Sequence, residues 1–106
     1  MFAKTPTPPY YAVIFSSIRT EGDKGYGIML DKMLSLAQTM PGFLGIESAR
    51  NTFGITVSFW DSHAAILNWK QQTDHLVAQE TGKKMWYENY KLRICLVERD
   101  YSFEKN

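Results

Sequence analysis

The stretch Phe59–Phe103 reads FWDSHAAILNWKQQTDHLVAQETGKKMWYENYKLRICLVERDYSF, and its punctuation decides the fold. Asp61-Ser62 offers a side-chain N-cap for a short helix over Ala64 to Lys70. Thr73 or Asp74 can cap a second helical piece running to about Gly82–Lys84. The segment from Tyr87 to Tyr101 is too long and too rich in aromatic and branched residues for a loop, and it reads as one long strand. All three tryptophans (Trp60, Trp69, Trp86) and both histidines (His63, His75) fall within this half of the chain.

Working outward, Phe43 to Arg50 and Phe53 to Trp60 are strands joined at Asn51-Thr52, most simply an antiparallel hairpin. In the second of them Phe53, Ile55, Val57 and Phe59 share one face, while Gly54, Thr56, Ser58 and Trp60 share the other. Upstream, Tyr10 to Ile18 (YYAVIFSSI) contains no glycine or proline and reads as a strand. A glycine-rich turn at Gly22 to Gly27 leads into a helix. That helix carries Tyr26, Met29, Leu30, Met33, Leu36, Ala37 and Met40 at three- and four-residue steps, and Pro41-Gly42 ends it.

The resulting order is β-α-β-β-α-β, an α+β chain with the ferredoxin-like arrangement of an antiparallel sheet and helices on one face. A sheet with one wet face should alternate apolar and polar residues. YYAVIF and LRICLV instead place apolar groups on both faces. The helices can cover only one, so the sequence predicts a homodimer whose sheets pack face to face about a twofold axis.

Composition sets the remaining bounds. With 106 residues the chain is expected to be a single domain over 1–106, with the TPTPP-containing residues 1–9 as a loose arm. A net charge of +1 with scattered Lys and Arg provides no footprint for nucleic acid or an anionic membrane. The single cysteine, Cys95, excludes an internal disulfide and sits in the apolar run LRICLV, where a buried structural thiol is expected. No apolar run is long enough to span a bilayer, and a cytoplasmic location is expected.

PGFLGIES, GITVSFWDS, ILNWK and the closing WYENYKLRICLVERDY together resemble the antibiotic biosynthesis monooxygenase family of dimeric α/β-barrel proteins. The resemblance runs from Tyr11 to Phe103. The Pro41-Gly42-Phe43 corner and the passage Phe59-Trp60-Asp61-Ser62 carry most of it, and VERDY is similar to a small bacterial branch. It implies a ligand cleft between the sheet and the overlying helices. It further implies oxidation of polycyclic phenols or quinols by O₂ without metal, flavin or heme, the electron-rich substrate anion doing the reduction. A related branch degrades heme with an Asn on the first strand, a Trp on the short helix and a His on the next. Trp69 occupies the tryptophan's place. His75 lies about one turn before the histidine's place near Gln79 or Glu80, and Phe15-Ser16-Ser17 stands where the asparagine would be. Heme degradation is the disfavoured reading.

The candidate site residues follow. His75 is the acid–base group, since an imidazole exchanges protons near neutrality. On a helix it shares a stripe with Ala78, Gln79, Gly82 and approximately Trp86. Trp69 can stack on a planar substrate. Asn68 can orient a substrate oxygen, although its neighbour points about 100° away. Ser16 or Ser58, whichever faces inward, can bond a substrate oxygen, and Met29 and Met33 can line the pocket. His63 and His75 lack the spacing of metal ligands, so no metal site is expected, and the resemblance implies that no cofactor is used. Trp60, Trp86 and Tyr87 stand at element junctions and read as packing anchors. The rival reading is a non-catalytic dimer that binds a small ligand or serves a stress response, favoured if Trp69, Met29 and Met33 fill the pocket themselves.

Overall fold

The computed structural model describes residues 2–79 and 83–105, and within them the side chains of 2–74 and 85–105. The elements run β1 (Tyr10–Arg19), α1 (Tyr26–Ala37), β2 (Phe43–Arg50), β3 (Phe53–Trp60), α2 (His63–Gln79), α3 (Lys83–Trp86) and β4 (Tyr87–Val97). The four strands form one sheet in the order β2-β3-β1-β4, and every pair is antiparallel. This is the ferredoxin-like β-α-β-β-α-β domain.

Pairing registers assign each side chain to a face. Tyr11 pairs with Trp60 and Leu96, Val13 with Ser58 and Ile94, Phe15 with Thr56 and Leu92, and Ser17 with Gly54 and Tyr90. Partners directly opposite one another point the same way. Val13 joins Trp60, Ala65 and Ile66 in the core, with Tyr11, Met40, Phe43 and Trp69 packed around it. These rows therefore face the helices. Ala12, Ile14, Ser16 and Ile18 face the other side with Phe53, Ile55, Val57 and Phe59.

Three boundaries differ from expectation, each for an identifiable reason. The second helical region is continuous from His63 to Gln79 rather than split. The Ser62 hydroxyl caps it by accepting from the Ala65 amide at 3.1 Å. The residues expected to start a second piece are used within the helix instead. Thr73 Oγ1 donates to the Lys70 carbonyl at 3.0 Å, and the Asp74 carboxylate receives Lys70 Nζ at 2.7 Å. Residues 80–82, between α2 and α3, lie outside the described residues.

The last strand stops at Val97 rather than Tyr101, because its partner begins at Tyr10 and is preceded by Pro8-Pro9, which have no N–H to extend the ladder. Finally, α1 ends at Ala37, and the chain reaches Pro41 through tighter turns, Thr39 N to Leu36 O and Met40 N to Ala37 O, both 3.0 Å. Its buried face is centred on Met29 and Ala37, and Leu30 is exposed.

The Pro41-Gly42 corner fixes the entry to β2. Gly42 has φ +85°, and a Cβ there would collide with the Asp61 carboxylate and sit 2.6 Å from the Ala65 Cβ. The Asp61 amide donates to the Gly42 carbonyl at 2.9 Å, tying the corner to the start of α2. The N-terminal residues have no regular structure but are tied to the sheet: the Ala3 amide donates to Glu47 Oε2 at 2.8 Å, and Thr5 Oγ1 to the Tyr10 hydroxyl at 3.0 Å.

Candidate functional site

The residues expected to form a site do not all meet. His75 lies in α2, but its side chain is outside the described residues. Trp69 is half-buried and packs against the core, its ring 5.5 Å from that of Trp60 and tilted by 33°. Asn68, one helical step away, is exposed to solvent.

Ser58 faces the helices and is 8% exposed, with its Oγ receiving the Trp60 indole N–H at 2.9 Å. Ser16 belongs to the opposite face, where it pairs with Ile55 and Lys91, and the period of two along β1 prevents it from sharing a ligand with Ser58. Met29 is 3% exposed and fills the core, and Met33 is half-buried beside it on α1. His63 is exposed and rests its ring 4.3 Å from that of Tyr11.

The helix side of β1 and β4 carries a different constellation. The ring of Phe15 lies 5.4 Å from Tyr87 and 5.2 Å from Tyr90. Tyr26 at the start of α1 approaches Tyr87 at 5.8 Å and Trp86 at 6.2 Å, both edge-on. Such offset and edge-on contacts are the favourable geometry for aromatic pairs. Arg19 lays its guanidinium 3.6 Å from the Tyr26 ring centroid, a cation–π contact. Its donors go to the carbonyls of Trp86 (3.3 Å), Gly22 (3.2 Å) and Asp23 (3.4 Å). Trp86 is anchored in turn by its indole N–H on the Lys24 carbonyl at 3.0 Å.

Burial pushes the Tyr87 hydroxyl well above the usual tyrosine range, and its hydrogen bond with Tyr26 pushes the same way against the weaker opposing pull of Arg50 and Arg19. Tyr87 is therefore a neutral phenol at any physiological pH, able to donate a hydrogen bond but not to act as a base.

Beyond this aromatic cluster the floor stays open. Leu92, Ile94 and Leu96 alternate along the helix side of β4 and are 45%, 47% and 51% exposed, since α2 leans on β3 instead. At about 3.3 Å per residue they make an apolar strip of roughly 13 Å. Among the described residues, no group of His, Cys, Asp and Glu is arranged to hold a metal ion. The sequence alone does not single out Phe15, Tyr26, Arg50 or Tyr90. The available signal was strand parity, because Phe15 shares its face with Ser58 and Trp60.

An antiparallel β2-β3-β1-β4 sheet with helices on one face and an aromatic-lined surface beneath them defines a ferredoxin-like α+β domain. The chain belongs to the antibiotic biosynthesis monooxygenase family, whose sequence profile matches residues 9–81. It is 52% identical over 106 residues to a Bacillus subtilis (strain 168) protein described as "Uncharacterized protein YqjZ", covering 98% of this chain and 93% of that one. Among solved structures, PA3566 from Pseudomonas aeruginosa superposes with a TM-score of 0.66 at 16% identity, covering 91% of this chain and 99% of that one. SnoaB from Streptomyces nogalater, a cofactor-independent oxygenase, superposes with a TM-score of 0.66 at 10% identity, covering 92% and 100%. At such identities these two structures bear on the fold alone.

Proposed function

We propose that this protein is a cofactor-independent monooxygenase that oxidises a planar aromatic, a phenol or quinol, with O₂. The observation that carries the reading is the cluster of Phe15, Tyr26, Tyr87 and Tyr90 opening onto the apolar strip of β4, a surface that fits a flat aromatic ligand. Family membership supports the reaction class. In a balanced form, a phenol with a free para C–H takes up one O₂, becomes a quinone and releases one water, all electrons coming from the substrate.

The protein's tasks are then to deprotonate, orient and exclude water. Tyr87, held neutral, donates to a substrate oxygen. His75 takes the phenolic proton, and the half-buried face of Trp69 borders the far end of the ligand. The acting unit is a homodimer in the cytoplasm, formed through the face the helices leave bare. There Ile18, Phe53 and Ile55 are 38%, 49% and 45% exposed. No described helix is long and apolar enough to cross a membrane.

One observation favours the non-catalytic reading: Trp69 packs on Trp60 and Met29 is buried, so neither is free to reshape around a substrate. Oxygen uptake with a panel of hydroquinones and naphthols separates the two. The enzyme reading expects uptake that falls at least tenfold in His75→Ala and in Tyr87→Phe and weakens in Trp69→Phe. Uptake absent throughout the panel, or unchanged in all three variants, would refute it. Sedimentation of a stable monomer at micromolar concentration would refute the dimer.

A further inference from the structure

Among the described residues, Arg50 is a cation of this surface that the fold leaves with donors to spare. It closes β2 on the helix side of the sheet, opposite Gly54 of β3, and its side chain is exposed. The guanidinium lies flat across Gly54, close enough that a Cβ at that position would collide with its Cζ, Nη2 and Nε. Glycine inside a strand forfeits packing and costs backbone entropy, and it is kept where another group must approach the backbone closely.

Nη1 of Arg50 donates to the Ser17 carbonyl at 3.5 Å, and Nη2 donates to the Ser17 hydroxyl. These bonds fix the plane of the fork without neutralising it. Among the described residues no carboxylate forms an ion pair with Arg50; the ion pair found there joins Lys70 and Asp74. Ser17 pairs with Tyr90 across the β1–β4 ladder, so the fork stands beside the aromatic cluster. Its field reaches the Tyr87 hydroxyl, where it favours the ionised form. Arg19, by contrast, spends its donors on three backbone carbonyls and its face on Tyr26.

We propose that Arg50, braced by Ser17 and seated on Gly54, is an anion-recognising group that selects aromatic ligands bearing a carboxylate or similarly placed oxyanion. The proposal deepens the aromatic-oxidation reading by naming the substrate subclass, and it rests on that reading for the location of the ligand. A planar guanidinium suits a planar carboxylate because two parallel N–H bonds fix both distance and orientation. The rings of Phe15, Tyr87 and Tyr90 would hold the aromatic body while Arg50 holds its acidic edge.

The test uses two ligands that differ only in the acidic group, 2-naphthoate and 2-naphthol, titrated into the full-length protein by calorimetry at neutral pH. Wild type is expected to bind 2-naphthoate about tenfold more tightly or better. Arg50→Gln should erase that preference while leaving 2-naphthol binding unchanged. Arg50→Lys should keep part of it, since the charge remains but the fork does not. Gly54→Ala, which evicts the guanidinium from its seat, should weaken 2-naphthoate selectively. An undiminished preference in Arg50→Gln, equal losses for both ligands, or no 2-naphthoate binding by wild type would each overturn the proposal. A naphthoate preference that depends on Arg50 in a protein showing no oxygen uptake would instead remove the monooxygenase reading and leave this site standing.

Discussion

Replacing Ser58 by alanine separates a structural serine from a substrate-binding one. Ser58 is 8% exposed and Trp60 is fully buried, and the Ser58 hydroxyl accepts the Trp60 indole N–H at 2.9 Å. Ser58→Ala leaves that N–H without its partner in a site that water does not reach. An unsatisfied buried donor costs about 1–3 kcal/mol. For a domain of this size the slope in urea is about 1–3 kcal/mol per molar, so the midpoint should fall by roughly 1 M.

The structural account makes a sharper demand on a double-mutant cycle. Trp60→Phe removes the indole N–H, so Ser58→Ala should cost less in that background, with a coupling energy of about 1 kcal/mol or more. The measurement is urea unfolding followed by circular dichroism. Total protein is held constant because the apparent stability of the proposed dimer would depend on concentration. The reasoning fails if Ser58→Ala costs the same in both backgrounds within about 0.3 kcal/mol. It also fails if Ser58→Ala abolishes oxygen uptake without touching stability, which would return Ser58 to the ligand.

Three other perturbations test other joints of the structure. Gly42→Ala meets both a left-handed φ of +85° and a collision with Asp61 and Ala65, so it should destabilise by more than about 1 kcal/mol and lower Tm by at least roughly 4–8 °C; an unchanged Tm would contradict the corner geometry. Tyr87 has a folded-state pKa raised above the unfolded value near 10, so its contribution is complete below about pH 10 and is lost as pH rises toward the folded value. Urea midpoints measured from about pH 8 to 11 should fall for wild type and fall less for Tyr87→Phe. Ile14 and Phe15 are neighbours on opposite faces of β1. Ile14→Thr should weaken self-association in sedimentation and spare ligand binding, Phe15→Leu should do the reverse, and the same defect in both would refute the division of faces.

The fold was legible because its signals are local. Period-two alternation in β3, the Ser62 cap and the Pro41-Gly42 corner each depend on residues within a few positions, and all three appear where the sequence placed them. The miscounted boundaries involve a choice that the local sequence leaves open. Thr73 and Asp74 are good caps and equally good i−3 and i−4 partners inside a continuing helix, and the structure uses them for the second role. Val97 ends its strand because the neighbouring chain runs out of donors at Pro8-Pro9, a fact about residues almost ninety positions away.

The candidate site was less legible for the same physical reason. Arg50, Ser17 and Tyr87 come from three strands, and nothing in their sequence spacing announces that a hairpin and a crossover bring them to one end of one face. Gly54 was the readable clue. In the alternation of β3 it sits in the row of Thr56, Ser58 and Trp60, where a side chain would be expected to pack under the helices. A gap there has to be filled by something long reaching in from the paired strand. The hairpin register puts Arg50 directly opposite, so the cation at the end of β2 and the missing side chain in β3 are one feature seen from two strands.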